Sequence, residues 1–368
     1  MPSLRRRSIA VILANQAASG AFLACPNMPD YRYSWFRDGS YIAHALDLAG
    51  EHLASHRFHD WAAGVILANA AVVAAAEACA AGGLPLADEA ILHTRYTAEG
   101  TAGSDAWPNF QLDGLGTWLW AVCDHAGRHS EPLPAAWQEA ITLAARYLAA
   151  LWRRPNFDLW EENGDRRHTY TQAAVYGGLA EAGATLGRPD WTAVAGEVRD
   201  ELLAAAEAQG HFVKFLRGDA ALTPARAAAV DGSLIGVALP HGVVPVDHPL
   251  LAGTAEAIEH ELRHPGGGVY RFGWDEYYGG GEWILLTAWL GWYYAAAGRP
   301  ARAAELLAWI EAQADAAGDL PEQVPQHLLK PAMYAPWVAQ RGWIAQPLLW
   351  SHAMYLILDL ALAQAVQA

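Results

Sequence analysis

Apolar residues recur at three- and four-residue spacing along almost the whole chain, the signature of amphipathic helices rather than strands. The periodicity predicts about twelve helices, over 4–24, 38–54, 57–81, 111–127, 134–151, 169–187, 189–208, 230–238, 248–264, 282–297, 299–317 and 347–366. Alanine fills many of their faces, which favours the helix and lets neighbouring helices approach closely. Asp38, Thr169 and Asp190 stand where a side-chain oxygen can accept from free first-turn amides, and Gly50, Gly187 and Gly298 stand where helices end. Two short alternating runs, His211–Leu216 and Gly268–Phe272, are the nearest approach to strands, and both lie between helices.

The connections alternate between short and long. The long ones cover 24–37, 82–110, 152–168, 209–229, 265–281 and 318–346. Loops of this length inside a compact fold are usually functional. The alternation predicts six helical hairpins. If these close into a ring, every long loop gathers at one face. The chain shows no exact internal repeat and no linker, so a single domain over 1–368 is expected despite the length.

Composition narrows the chemistry. A 53% apolar and 17% charged chain of 368 residues is globular with a large core. A net charge of −15 with 24 Lys and Arg argues against a nucleic-acid partner and is compatible with a neutral or cationic small molecule. Three widely spaced cysteines suggest neither a disulfide framework nor a zinc site. Seventeen Trp and 14 Tyr supply core, but also flat amphipathic rings suited to stacking on sugars. Arg5, Arg6 and Arg7 followed by Ile9–Ala14 resemble a signal peptide. The apolar run is broken by Asn15 and Gln16, however, and Ala17, Ala18, Ala21, Phe22 and Leu23 continue it at helical spacing. It is read as the first structural helix and the protein as cytoplasmic, secretion being the alternative. No other stretch is judged long and apolar enough to span a membrane, so no membrane partner is expected.

The candidate chemistry sits in the loops. Phe157-Asp158-Leu159-Trp160-Glu161-Glu162-Asn163-Gly164 places two carboxylates after a tryptophan between two helices. A second carboxylate motif, Leu320-Pro321-Glu322-Gln323, also follows a helix among aromatic residues. Either could be an exposed acidic loop; together, on an aromatic scaffold, they match what glycoside hydrolysis needs. One carboxyl must give a proton to the leaving oxygen, and the other must act as nucleophile or activate water. Apolar neighbours can raise one of the pair so that it stays protonated, and the sequence leaves open which. Tyr31-Arg32-Tyr33-Ser34-Trp35-Phe36-Arg37-Asp38-Gly39 sets an Arg–Asp pair at a helix start, fit either to hold sugar hydroxyls or simply to cap the helix. Trp107-Pro108-Asn109-Phe110-Gln111-Leu112-Asp113-Gly114 offers a ring and polar groups at another helix start, again a cap in the alternative reading. Gly266–Gly268 and Gly279–Gly281 bracket a run containing Arg271, Asp275 and Tyr277; the spacing fits no phosphate loop, and close backbone approach beside a cleft is the better reading. The 15 histidines are scattered without an HExxH, and there is no GxSxG, so neither a catalytic metal nor acyl transfer is expected.

Five motifs in order, YRYSWFRDG (31–39), WPNFQLDG (107–114), FDLWEE (157–162), VYRFGWDEYYGGGEW (269–283) and LPEQ…PLLWSHA (320–353), make the chain resemble the glucoamylase and glucodextranase family of glycoside hydrolases (family 15) over nearly its whole length. The resemblance implies an all-α fold, the six-hairpin (α/α)6 barrel with long loops at the active-site face, which agrees with the helix count. It implies an inverting exo-enzyme, without cofactor, that releases β-glucose from the non-reducing ends of α-glucosides. By resemblance Glu161 matches the general acid and Glu322 the general base. Arg37, Asp38 and Arg271 match sugar-binding residues, Trp35 and Trp107 match pocket walls, and Glu162 matches a residue near the leaving sugar. Tyr31, Trp160 and Tyr277 are expected to line the same cleft. The chain departs from the family in having room for neither an N-terminal β-sandwich nor a starch-binding module, which points to short soluble α-gluco-oligosaccharides, isomaltose-type preferred over maltose-type, rather than granular starch. The alternatives are a trehalose hydrolase of the same fold and a non-catalytic sugar-binding protein.

Overall fold

The computed structural model describes residues 3–104, 106–129, 132–216, 223–263 and 266–367. In chain order its helices are α1 (Leu4–Ala14), α2 (Phe36–Ala49), α3 (His52–Ala68), α4 (Ala70–Ala81), α5 (Asp113–His129), α6 (Ala135–Leu151), α7 (Thr169–Leu186), α8 (Pro189–Glu207), α9 (Pro224–Ala227), α10 (Pro249–Glu261), α11 (Ile284–Ala296), α12 (Pro300–Ala312), α13 (Tyr334–Arg341) and α14 (Leu349–Gln367), with a 3₁₀ segment at Gly232–Val237.

Burial sorts these elements into two layers. α2 is buried continuously from Phe36 to Leu46, α11 from Ile284 to Gly291, and the 3₁₀ segment along its whole length. Elements apolar all round belong inside a core. Together with α5, α7 and α14 they form an inner ring in which α2 packs on α5, α5 on α7, α7 on the 3₁₀ segment, that segment on α11, α11 on α14, and α14 back on α2. The outer helices bury one face each; α12, for example, buries Ala303, Leu306 and Ile310. The result is the expected (α/α)6 barrel, with the 3₁₀ segment as the fourth inner element.

Each of the six long connections leads into an inner element, so all gather at the N-terminal ends of the inner ring. Two antiparallel ladders of two residues tie them together: β1 (Ser34–Trp35) with β2 (Arg95–Tyr96), and β3 (Glu282–Trp283) with β4 (Gln323–Val324). The two alternating runs contribute only single bridges, Phe215 to His168 and Val269 to Arg263 and Trp283. Parts of three expected segments, residue 105, residues 217–222 and residues 264–265, lie outside the described residues.

Several expectations need correcting. The first helix stops at Ala14, ten residues short of 24, where the Asn15 side chain turns back to donate to the Val11 carbonyl. The chain then reverses through Gly20 at φ +106°, where a Cβ would lie 2.2 Å from the Arg57 carbonyl oxygen. The helix expected over 57–81 begins at His52 and breaks at Asn69, whose side chain donates to the Val65 carbonyl and competes with the helical backbone bond; α3 and α4 meet at 58°. The expected caps sit inside their helices: α2 begins at Phe36 with Asp38 in its first turn, α7 begins at Thr169 after His168, and Asp190 follows Pro189 and pairs with Arg188. α13 was not foreseen, because it buries no residue completely and carries Pro336, which a first helical turn tolerates. α14 also meets the length and hydropathy of a membrane span over Leu349–Val366, contrary to expectation, but most of that stretch is buried, packed on α1, α2, α11 and α12.

Glycine sets the closest approach in the inner ring. A Cβ on Gly116 of α5 would lie 2.4 Å from the Ala174 carbonyl oxygen of α7, and one on Gly178 would lie 2.5 Å from the Gly116 oxygen. Gly116→Val is expected to cost about 1–3 kcal/mol in urea unfolding with an unchanged slope. Exposed helical Gly127, with nothing within 4 Å of an added Cβ, is expected to gain roughly 0.4–1 kcal/mol as Gly127→Ala.

Candidate active site

The long loops enclose a cavity of about 720 Å³ at the N-terminal end of the inner ring. All eleven residues singled out by the sequence line it: Tyr31, Trp35, Arg37, Asp38, Trp107, Trp160, Glu161, Glu162, Arg271, Tyr277 and Glu322.

The first long loop reaches both candidate catalytic carboxylates. Trp35 Nε1 donates to Glu161 Oε1 at 2.8 Å. Tyr31 Oη donates to Glu322 Oε1 at 3.1 Å and bonds Tyr277 Oη at 2.8 Å. The Tyr31 and Trp35 rings meet edge to face at 5.7 Å, and Trp107 closes on Trp35 at 6.2 Å. In the following turn Arg37 donates to Asp113 Oδ2 at 3.0 Å and to Gln111 Oε1 at 3.1 Å. Its Nε and the Oδ2 of Asp38 are buried without a hydrogen-bond partner among the described residues, although they lie 3.5 Å apart. A donor and an acceptor held side by side at a cavity wall suit the vicinal hydroxyls of a sugar. Burial, ahead of the opposing charge of Arg37, raises Asp38 to about 6.

The Glu161 loop is built around Asp158. Its Oδ1 accepts from the amides of Trp160 and Glu162 at 3.0 and 2.9 Å, the local turn chemistry expected of Asp. Its Oδ2 accepts from Lys214 Nζ at 2.9 Å, and the same ammonium reaches Asp231 at 2.6 Å. Burial alone would raise Asp158, but Lys214 and His168 hold it below the usual carboxylate range. Asp231 also accepts from Trp160 Nε1 at 2.9 Å, so the indole is fixed from behind. His168 Nε2 lies 3.0 Å from the carbonyls of Asn156 and Asn163, which makes it the protonated nitrogen. This bracing holds Glu161 and Asn163 at φ +66° and +52°. Such left-handed conformations cost on the order of 1 kcal/mol or more each outside glycine.

Arg271 lies across the cavity. It pairs with buried Asp275 through both Nε and an amino nitrogen, and reaches Glu162 Oε1 at 3.2 Å. Burial raises Glu162, against the pull of Arg271. Glu322 is 3% exposed, and its Oε2 has no hydrogen-bond partner among the described residues. Burial raises it to about 8, while the hydroxyls of Tyr31 and Tyr277 and the charge of Arg271 pull it down. The strongly raised carboxyl is therefore the one matched to the base.

Several cavity residues went unnoticed in the sequence. Trp337 and Arg341 come from α13; Trp337 packs edge to face on Tyr277 at 4.9 Å, and Arg341 pairs with Asp30 at the rim. Trp350 lies under Arg37, with 5.4 Å from guanidinium to ring centre. Lys214 had a usable signal: it is one of only two lysines in the chain and stands inside the apolar run His211–Leu216.

The sequence matches the family described as glycosyl hydrolases family 15 over residues 4–334. It is 46% identical over 362 residues to the isomaltose glucohydrolase of Kribbella flavida, covering 96% of this chain and 91% of that one. A trehalase of Mycolicibacterium smegmatis is 25% identical, over 72% of this chain and 42% of its own length. Among solved structures, a glycosidase described in complex with glucose superposes with a TM-score of 0.91 at 44% identity, covering 98% of this chain and 96% of that one. A bacterial glucoamylase complexed with acarbose shares the fold with a TM-score of 0.77 at 20% identity, over 99% of this chain and 56% of its own. The chain belongs to glycosyl hydrolases family 15 and is a glycoside hydrolase.

Lys214 tests the bracing of the Glu161 loop. Lys214→Met leaves Asp158 and Asp231 buried without their cation and is expected to lower stability by about 3–5 kcal/mol in urea unfolding. Hydrolysis by the folded fraction should lose kcat more than it raises KM, because the loop that positions Glu161 is loosened.

Proposed function

We propose, on the premise of that family membership, an inverting exo-α-glucosidase that releases β-glucose from the non-reducing end of short α-gluco-oligosaccharides of isomaltose type. The observation that carries the reading is the pair of carboxyls, Glu161 and Glu322, on one cavity, each held by an aromatic residue of the same loop. The similarity to an isomaltose glucohydrolase supports the α-1,6 linkage.

In this mechanism the terminal glucose is held by Arg37 and Asp38, with Trp35 and Trp107 as walls. Glu161 gives its proton to the glycosidic oxygen. Its Oε1 accepts from Trp35 and from Gln111 at 3.2 Å, which leaves Oε2 for that proton. Glu322 takes a proton from water, and the water oxygen attacks the anomeric carbon from the opposite face, inverting it. Its Oε2, without a hydrogen-bond partner among the described residues, is the atom for that water, whose donated hydrogen bond favours the ionised form. Glu162, paired with Arg271, contacts the leaving sugar.

Glu161→Gln and Glu322→Gln are each expected to abolish turnover of isomaltose while retaining glucose binding by calorimetry; near-normal rates in either variant remove that residue from its role. Proton NMR of the first product from a panel of isomaltose, maltose, nigerose, kojibiose and trehalose should show β-glucose, with isomaltose fastest. A preference for trehalose would favour the trehalase reading, and binding without turnover of any substrate the sugar-binding one.

The raised Glu322 gives a pH test. Titration of Glu322 should place one limb of the kcat/KM profile near pH 8. Tyr31→Phe removes a hydrogen bond that favours the carboxylate and should move this limb to higher pH. A limb near pH 8 that Tyr31→Phe leaves in place would assign it to a group other than Glu322.

A further inference from the structure

The inner ring has a second end, away from the cavity. Asp47 lies near the C-terminus of α2, roughly 14 Å along the helix from Asp38. Beside it, the last turns of α5 present His125 and His129, four residues apart and so on one face. Asp47 Oδ1 and Oδ2 lie 3.0 and 2.9 Å from His125 Nδ1, and Oδ1 lies 3.2 Å from His129 Nε2. One ligand atom from each of the three residues falls within 4.8 Å of the others. A tetrahedral zinc-class ion with bonds of 2.0–2.2 Å would separate its ligand atoms by roughly 3.3 Å, which the two carboxylate–imidazole separations already meet within a few tenths of an ångström, while the two imidazole nitrogens lie within 4.8 Å of each other.

Hydrogen bonding explains the Asp47–His125 pair, to which Ser55 Oγ adds a donor at 2.9 Å. It leaves other features unexplained. His59 is fully buried with neither ring nitrogen hydrogen-bonded among the described residues, and its ring centre is 5.1 Å from that of His125. His52, exposed, lies 5.0 Å from His129, ring centre to ring centre. The histidines that look scattered in the sequence thus converge through folding.

We propose that Asp47, His125 and His129 bind a divalent transition-metal ion of the zinc class, which clamps α2 to α5 at the face opposite the cavity and takes no part in hydrolysis. Two imidazoles and a carboxylate are a donor set for Zn²⁺, Co²⁺ or Ni²⁺ rather than Ca²⁺ or Mg²⁺. The side chain of His129 is 25% exposed, which gives the ion a way in and leaves a fourth position for water or His52.

The test uses the full chain without a histidine tag, stripped with chelator and titrated with Zn²⁺ by calorimetry. One ion per chain is expected, with a rise in Tm on adding Zn²⁺ and intense visible bands when Co²⁺ is substituted. His129→Gln and Asp47→Asn should each weaken Zn²⁺ binding by at least about 100-fold, the upper end of what losing even an outer partner of a ligand costs. Isomaltose hydrolysis by His129→Gln should be unchanged. If Asp47→Asn fails to fold, His129→Gln decides alone, since that side chain is partly exposed. No binding by the unmodified chain, or binding as tight in His129→Gln, overturns the proposal.

Discussion

The seam between α2 and α14 is the contact on which the site depends, because it joins the two ends of the chain. Tyr41 stacks on Trp350 at 5.4 Å, and the Leu349 amide donates to the Ala24 carbonyl at 3.0 Å. Only with the ring closed does Tyr31 meet Glu322, a residue 291 positions away. The same short segment then holds Glu161 through Trp35, so the edge contact between Tyr31 and Trp35 links the anchors of the two carboxyls. Two rings on one loop thus hold one oxygen of each carboxyl, beside the bracing within the Glu161 loop itself.

Charge in the cavity follows from the same geometry. Every inner element points its N-terminus at the loops, which brings the positive ends of their dipoles to an acidic site. The carboxylates there divide by how they are answered. Asp158 has a buried ammonium at 2.9 Å and is held low. Asp275 is gripped by Arg271. Burial raises Asp38, Glu162 and Glu322; Asp38 and Glu322, each with one oxygen left unpartnered by the described residues, reach about 6 and about 8. The oxygens left unpartnered by the described residues are the ones available to substrate and water.

The barrel was legible because apolar residues recur at helical spacing through long segments and because short and long connections alternate. Glu161 and Glu322 were legible because two loop carboxylates on an aromatic scaffold carry chemistry; Arg37 and Asp38 could equally have capped a helix, and Tyr31 and Trp35 were legible through the resemblance of their motif. What stayed hidden depends on contacts across the chain. α13 hides because eight residues that include Pro336 are too short to show a helical period, and its wall residue Trp337 hides with it. The break at Asn69 hides because a single side-chain bond to Val65 ends an alanine-rich run that could continue. Lys214 hides because its two partners, Asp158 and Asp231, come from other segments.

The Lys214 cluster also explains why the proposed acid can occupy an unfavourable backbone conformation. Glu161 at φ +66° is where glycine would be cheaper, but glycine has no carboxyl. A non-glycine residue persists there only if its surroundings over-determine it. Asp158 does so from within the loop, by accepting two of its amides, and Lys214 fixes Asp158 from outside it. Asp231, bound to the same ammonium and to Trp160, extends the bracing to the start of the 3₁₀ segment of the inner ring. The direction of Glu161 into the cavity is thus set by a buried ion cluster behind it. That places a determinant of the proposed acid's orientation on a residue that lies outside the five motifs.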